Sequence, residues 1–134
     1  MFPYIHFPGT CAEAMAFYAE LFGGTEVQVM KYDDMPPQEG QPAMPKSDRI
    51  MHSQMNAMGS VLMASDFPPG VEGEPQQAVS IMLAPATVAE GRRLFDGLKG
   101  GGVIMDYGPT FWSKGFGMTK DQFGTHWIIG AAET

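Results

Sequence analysis

The chain holds 134 residues, 44% of them hydrophobic, with a formal net charge of -7. That is one ordinary domain or two very small modules sharing a core, and the apolar content excludes a disordered chain. The negative charge repels phosphate backbones and anionic bilayers, so neither nucleic acid nor a membrane is expected as a partner.

No apolar run approaches the roughly 18 to 20 residues that span a bilayer. The N-terminus lacks a basic stretch followed by an apolar core, and His6 and Glu13 fall where a signal peptide would be apolar. A cytoplasmic protein is expected. The single cysteine, Cys11, excludes an internal disulfide and a thiolate zinc site. It stands at a predicted helix start, as a small helix residue or as a nucleophile whose thiol the helix dipole acidifies. The twelve methionines suit irregular cores and adaptable apolar pockets.

In chain order, Phe2 to Phe7 reads as a strand. Thr10-Cys11-Ala12-Glu13 then forms a capping box, in which the threonine hydroxyl and the glutamate satisfy free amides of a first helical turn. Phe17, Tyr18 and Leu21 follow at helical spacing, and Gly23-Gly24 stops the helix. Thr25 to Tyr32 is a second strand, with Val27 and Val29 alternating. The stretch Asp33 to Arg49 holds Pro36, Pro37, Pro42 and Pro45 and exceeds a normal connection, as a lid or a disordered loop. Ile50 to Met58 and Ser60 to Ser65 form a hairpin turning near Met58-Gly59. Asp66 to Gln77, with Pro68, Pro69 and Pro75, reads as a linker.

The pattern then repeats. A strand over Ala78 to Leu83 precedes a second box, Thr87-Val88-Ala89-Glu90, with Leu94, Phe95 and Leu98 behind it and Gly100-Gly101 as the stop. Val103 to Tyr107 is a strand, and Phe116 to Lys120 with Thr125 to Ala131 is a hairpin turning at Phe123-Gly124. Thr87 follows Thr10 by 77 positions, and Phe95 follows Tyr18 by the same 77. Gly124 follows Gly59 by 65, which matches Met63 to Ile128 and His52 to Gly117. The order is β-α-β-β-β, twice: a module over about 1–65, a linker over 66–77 and a module over about 78–134. One module could not bury its sheet face alone, so residues 1–134 are expected to form one α+β domain.

The stretch YIHFPGTCAEAMAFYAELFGG resembles the opening strand and helix of PhnB-like proteins of the vicinal-oxygen-chelate (glyoxalase, bleomycin-resistance and dioxygenase) superfamily. FWSKGFGMTKDQFGTHWII resembles their closing signature, an aromatic-Trp pair before the last hairpin and Asp-x-Phe-Gly before a Trp. Gln122 departs from the proline that usually follows the aspartate. The resemblance implies two βαβββ modules forming a curved, cup-like mixed sheet, and a homodimer. Such proteins have carried a 3-demethylubiquinone methyltransferase label, but no glycine-rich loop opens a Rossmann unit for a methyl donor here.

Active superfamily members hold a divalent metal on His and Glu from the first and last strands of each module, and the metal stabilises an enolate or activates a nucleophile. By resemblance His6 matches the first ligand position. The other positions fall near Met63, in Ser80 to Leu83 and at Ile128, none of which suits a hard or borderline cation. His52 shares a strand face with Gln54 and Asn56. That stripe is a two-histidine metal site, a metal-free polar patch, or a solvated or dimer-facing side. His126 shares a face with Ile128.

The leading reading is a protein binding a small organic molecule in a cup lined by His6, His52, Gln54, Met63, Trp112, Phe116, Met118 and Ile128, with no cofactor and no complete metal site. The alternative is a divalent-metal-dependent lyase or isomerase using His6 and His52. A third class is a ligand-free structural or regulatory dimer with residues Asp33 to Arg49 as an interface arm. The sequence names neither a reaction nor a substrate.

Overall fold

A computed structural model describes residues 1–36, 39–40 and 46–133. Much of the proline-rich stretch expected as a lid or arm (37, 38 and 41–45) lies outside the described residues. The chain divides into two compact units, Met1–Pro75 and Gln76–Thr134. No helix among the described residues is long and apolar enough to cross a membrane.

The first unit runs β1 (Tyr4–Phe7), α1 (Cys11–Phe22), β2 (Thr25–Lys31), a 3-10 turn (Tyr32–Asp34), β3 (Ile50–Ala57) and β4 (Ser60–Asp66). Its sheet has the order β1-β4-β3-β2, with β1 parallel to β4 and the other pairs antiparallel. The second unit runs β5 (Ile81–Leu83), α2 (Val88–Gly97), β6 (Gly102–Gly108), β7 (Phe116–Lys120) and β8 (His126–Gly130). Its order, β5-β8-β7-β6, repeats the first, again with one parallel pair. The α+β class and the doubled βαβββ order expected from the sequence are both present.

Each helix covers one face of its own sheet. α1 lies on β3 and β4, and α2 on β7 and β8. The covered positions alternate as the pleat requires: Ile5, Phe7, Met55, Leu62 and Ala64 are buried in the first unit, and Leu83, Trp127 and Ile129 in the second. Tyr18 and Phe95 fill the helix side of the two cores. The opposite sheet faces carry Tyr4, His6, His52, Gln54 and Met63, and Met82, Phe116, Met118 and Ile128. None of these is fully buried.

The first capping box is not formed. Thr10 makes no side-chain bond to the helix. The carboxylate of Asp66, buried at the end of β4, takes its place: Oδ1 accepts the Gly9 and Cys11 amides, each at 2.9 Å, and Oδ2 accepts the Ile50 amide at 2.9 Å. A charged acceptor outbids a hydroxyl for a helix's free amides. In the second unit Thr87 does cap, accepting the Glu90 amide at 3.1 Å, and Glu133 Oε2 accepts the Val88 amide at 2.9 Å. The expected strand over Ala78 to Leu83 shortens to Ile81–Leu83, with Ala78 at φ 60°.

The hairpin match needs one correction. Ala57 pairs with Ser60 across the two-residue turn Met58-Gly59, whose positive φ values of 51° and 76° suit a tight hairpin. In the second hairpin the Asp121 amide donates to the Thr125 carbonyl at 2.9 Å, so three residues form the turn. The extra residue moves β7 by one, and His52 corresponds to Phe116 rather than Gly117. Gly117 faces α2, where a side chain would strike Phe95. Asp121 builds this turn: Oδ1 accepts the Phe123 and Thr125 amides at 2.8 and 3.1 Å, and Oδ2 accepts the Trp127 indole N–H at 2.8 Å. The Asp-x-Phe-Gly signature is therefore a scaffold element.

Candidate functional site

On the open face of the first unit, β1 and β3 bring their polar side chains together. Tyr4 Oη lies 2.9 Å from His52 Nδ1, and His52 Nε2 lies 2.9 Å from Gln54 Oε1. An amide oxygen only accepts, so Nε2 carries the proton, Nδ1 accepts, and the Tyr4 hydroxyl donates. The Tyr4 ring centroid lies 5.1 Å from that of His6 and 5.6 Å from that of His52. His6 Nδ1 lies 3.2 Å from Ser65 Oγ, and its ring stacks on Phe67 at 5.8 Å and 17°. Met63 stands beside Tyr4 on one side and Gln54 on the other in the sheet register. Four expected site residues, His6, His52, Gln54 and Met63, thus share one face. Tyr4, which ties the two histidines together, escaped the sequence reading, although it alternates with His6 and so had to share that face.

These residues do not fit a divalent metal. A metal takes a lone pair from neutral imidazole nitrogen, and both ring nitrogens of His52 are engaged in hydrogen bonds. His6 keeps Nε2 only. Among the described residues no three His, Cys, Asp or Glu side chains gather as a metal group. Met82 stands beside Ile128 as Tyr4 stands beside Met63, so the place matching His6 in the second unit is Ala84. Cys11 is fully buried, with Sγ 3.4 Å from Ser53 Oγ. Burial pushes its thiol up to about 11, against a smaller lowering by the Ser53 hydrogen bond. It stays protonated and buried, so the nucleophile alternative is set aside.

The second unit has a pocket of about 450 Å³ at the end of its open face, lined by Met82, Phe111, Trp112, Phe116, Lys114 and Glu133 among others. Phe111 is 98% exposed and Trp112 56%. Three rings meet edge to face: Phe111 on Trp112 at 4.7 Å, and Trp112 on Phe116 at 5.3 Å. Thr110 Oγ1 accepts the Trp112 and Ser113 amides at 3.4 and 3.1 Å, which folds the loop that presents the indole. Gly130 leaves the pocket floor open, since a side chain there would meet Met82 and Phe116. Trp112 and Phe116 were expected here. Phe111 and Met82 were missed, although Phe111 adjoins Trp112 in the aromatic-Trp signature. Met118 and Ile128 lie on the same face in one row, Met82-Ile128-Met118, but do not line the pocket. His126 stands opposite Lys120, also away from the pocket, with Nδ1 buried and unpaired among the described residues.

The two registers place the same six positions side by side for comparison. Tyr4, His6, His52, Gln54, Met63 and Ser65 correspond to Met82, Ala84, Phe116, Met118, Ile128 and Gly130. One backbone carries a polar set in the first unit and an apolar set in the second.

The family model for 3-demethylubiquinone-9 3-methyltransferase matches residues 1–130. Protein YjdN of Escherichia coli K12 is 31% identical, over 98% of this chain and 94% of its own. The crystal structure of protein PA1353 from Pseudomonas aeruginosa is 37% identical, with a TM-score of 0.85 over 100% of this chain and 98% of that one. A Bacillus cereus PhnB protein, carrying the same methyltransferase description, is 26% identical, with a TM-score of 0.73 over 98% of both chains. The fold alone is shared with a lactoylglutathione lyase from Agrobacterium tumefaciens, 14% identical, TM-score 0.55, over 98% and 92% of the two chains. The chain belongs to the PhnB-like family described by that methyltransferase model, and it has the fold of the lactoylglutathione lyase.

Proposed function

We propose that this protein binds a small, mostly apolar organic molecule, and does so without a complete metal site. The supporting observation is the pocket of about 450 Å³ around Trp112, Phe116, Phe111 and Met82, a size within the ~300–1,000 Å³ of small-molecule sites. Rings held edge to face offer flat apolar walls, and Met82 lends an adaptable one. Lys114 and Glu133 set one charge of each sign at the rim. Met118 and Ile128 extend the apolar surface of that face; on the open face of the first unit, His6, His52, Gln54 and Met63 are proposed as ligand contacts in their own right. The strand-to-helix loops, Pro8-Gly9-Thr10 and Ala84 to Thr87, do not form the glycine-rich opening of a Rossmann unit. The proposed setting is the cytoplasm.

The test is fluorescence titration with anilinonaphthalene sulfonate, together with native mass spectrometry of the protein as purified. Trp112→Ala should lower dye affinity at least about tenfold at unchanged thermal stability, as removal of an aromatic that a ligand covers does. No retained ligand and a dye response indifferent to Trp112→Ala would sink the reading.

The chain is also proposed to act as a homodimer. β2 is exposed along its whole length, with Val27, Val29 and Met30 49%, 54% and 46% exposed, and an edge strand bearing such side chains favours association. Light scattering after size exclusion tests it; a monomer at every concentration refutes it.

A further inference from the structure

We infer that the open face of the first unit selects a neutral hydroxyl donor, the O–H of a phenol-type ligand, over an anion or an ether of the same shape. The inference rests on the small-molecule role proposed above and narrows it. The pocket around Trp112 is not part of it.

The selection follows from which way one chain of hydrogen bonds runs. In the neutral ring Gln54 Oε1 accepts from His52 Nε2–H at 2.9 Å, which fixes the tautomer and leaves Nδ1 as a lone pair. The Tyr4 hydroxyl donates to that lone pair at 2.9 Å. A hydroxyl has one proton, and this one is spent inward. Tyr4 is 41% exposed, and its hydroxyl oxygen is left with lone pairs only. It can accept from a ligand and has nothing to donate. A carboxylate or phosphate oxygen brought to it meets another acceptor, and an ether gains nothing.

The surroundings supply a seat for an aromatic body. The Tyr4 ring lies 5.1 Å from His6, His6 stacks on Phe67 at 5.8 Å, and Met63 flanks Tyr4 in the register. Rings and a thioether of this kind pack against a flat apolar group. His6 uses Nδ1 on Ser65 Oγ at 3.2 Å and keeps Nε2 for the ligand. Arg49, on a loop of this unit, is committed to the Phe67 and Pro8 carbonyls at 3.1 and 3.3 Å. No Lys or Arg side chain belongs to the cluster, so an anion finds no fixed positive charge there. The arrangement differs from the metal site of the superfamily in kind: a metal presents an electrophile to ligand oxygens, whereas Tyr4 here presents an acceptor.

The experiment uses the full chain in mildly alkaline buffer, where imidazoles are neutral, and follows the histidine ring signals by NMR with phenol, anisole and benzoate as probes. Phenol should shift the His52 signals and bind about fivefold or more tighter than anisole, the worth of one hydrogen bond, with benzoate weakest. Tyr4→Phe should bring phenol and anisole to about equal affinity. His52→Phe frees the Tyr4 proton, so anisole and benzoate should gain on phenol and the order should invert. Should that variant fail to fold, Gln54→Leu releases the tautomer and should shrink the phenol preference alone. Benzoate binding tighter than phenol, or a phenol preference surviving Tyr4→Phe, overturns the inference. Dye quenching at Trp112 without any histidine response overturns it too, while leaving the pocket reading standing.

Discussion

Replacing Asp66 by asparagine tests the account of how the first helix is held. Three amides, Gly9, Cys11 and Ile50, converge on one carboxylate at 2.9 Å each, in a site only 2% exposed. Asparagine keeps one oxygen and puts an NH2 where the other stood. Whichever way it is placed, at least one amide then faces a donor. A bond to a charged group contributes roughly 1.5–3 kcal/mol, and a buried donor left unpaired costs about 1–3 kcal/mol. A loss of about 3 kcal/mol or more is expected. Thr10→Ala, which touches no cap bond, should change stability by less than about 0.5 kcal/mol, whereas Thr87→Ala removes a real cap and should cost about 1 kcal/mol. Urea unfolding of the full chain, read as a midpoint shift at constant slope, measures all three. If Asp66→Asn falls within about 0.5 kcal/mol of the parent, or Thr10→Ala matches Thr87→Ala, the argument is wrong.

Other outcomes follow from single sites. With its thiol raised to about 11, Cys11 should resist alkylation in the native protein at pH 8 and label rapidly in denaturant; rapid native labelling would contradict its burial. The unfolded thiol, nearer the usual 9.0, gives up its proton first as pH rises. The stability tied to this group is therefore complete below about 9 and falls as pH climbs toward about 11, which thermal melts across that interval should register. Gly91→Ala should destabilise by about 1–3 kcal/mol, against the helix-propensity gain, because the new methyl meets the Tyr107 hydroxyl that holds the Val88 carbonyl. Added nickel, manganese or zinc should leave the melting temperature unchanged; a rise that vanishes in His6→Ala would restore the metal-dependent alternative.

Much of the fold was legible because the local signals agreed. Two helices were marked by glycine stops and spaced aromatics, and two hairpins by Gly59 and Gly124, so the doubled βαβββ order could be read without tertiary information. The first cap was not legible. Thr10 and Glu13 have the right spacing, but Asp66 is 53 positions beyond Glu13 in the chain and is brought to the helix only by the parallel pairing of β1 with β4. The match of His52 with Gly117 failed for a similar reason: self-alignment on the turn glycines cannot see that one turn holds an extra residue. His6, His52, Gln54 and Met63 were found by alternation along single strands, which also held Tyr4. What alternation cannot supply is the hydrogen-bond partner, and here both ring nitrogens of His52 have one.

The one-residue difference between the two hairpins bears on how such a duplicated chain changes over time. The extra residue sits in the turn at 122–124, so it shifts numbering while leaving the inward and outward alternation of β7 and β8 intact. Six equivalent open-face positions could then drift to opposite chemistries, Tyr4 against Met82 and His52 against Phe116, with neither helix-covered layer disturbed. Length changes confined to turns insulate the working surface from the scaffold. A transplant of the tyrosine, histidine and glutamine set onto Met82, Phe116 and Met118 would enter a backbone whose register already accommodates it.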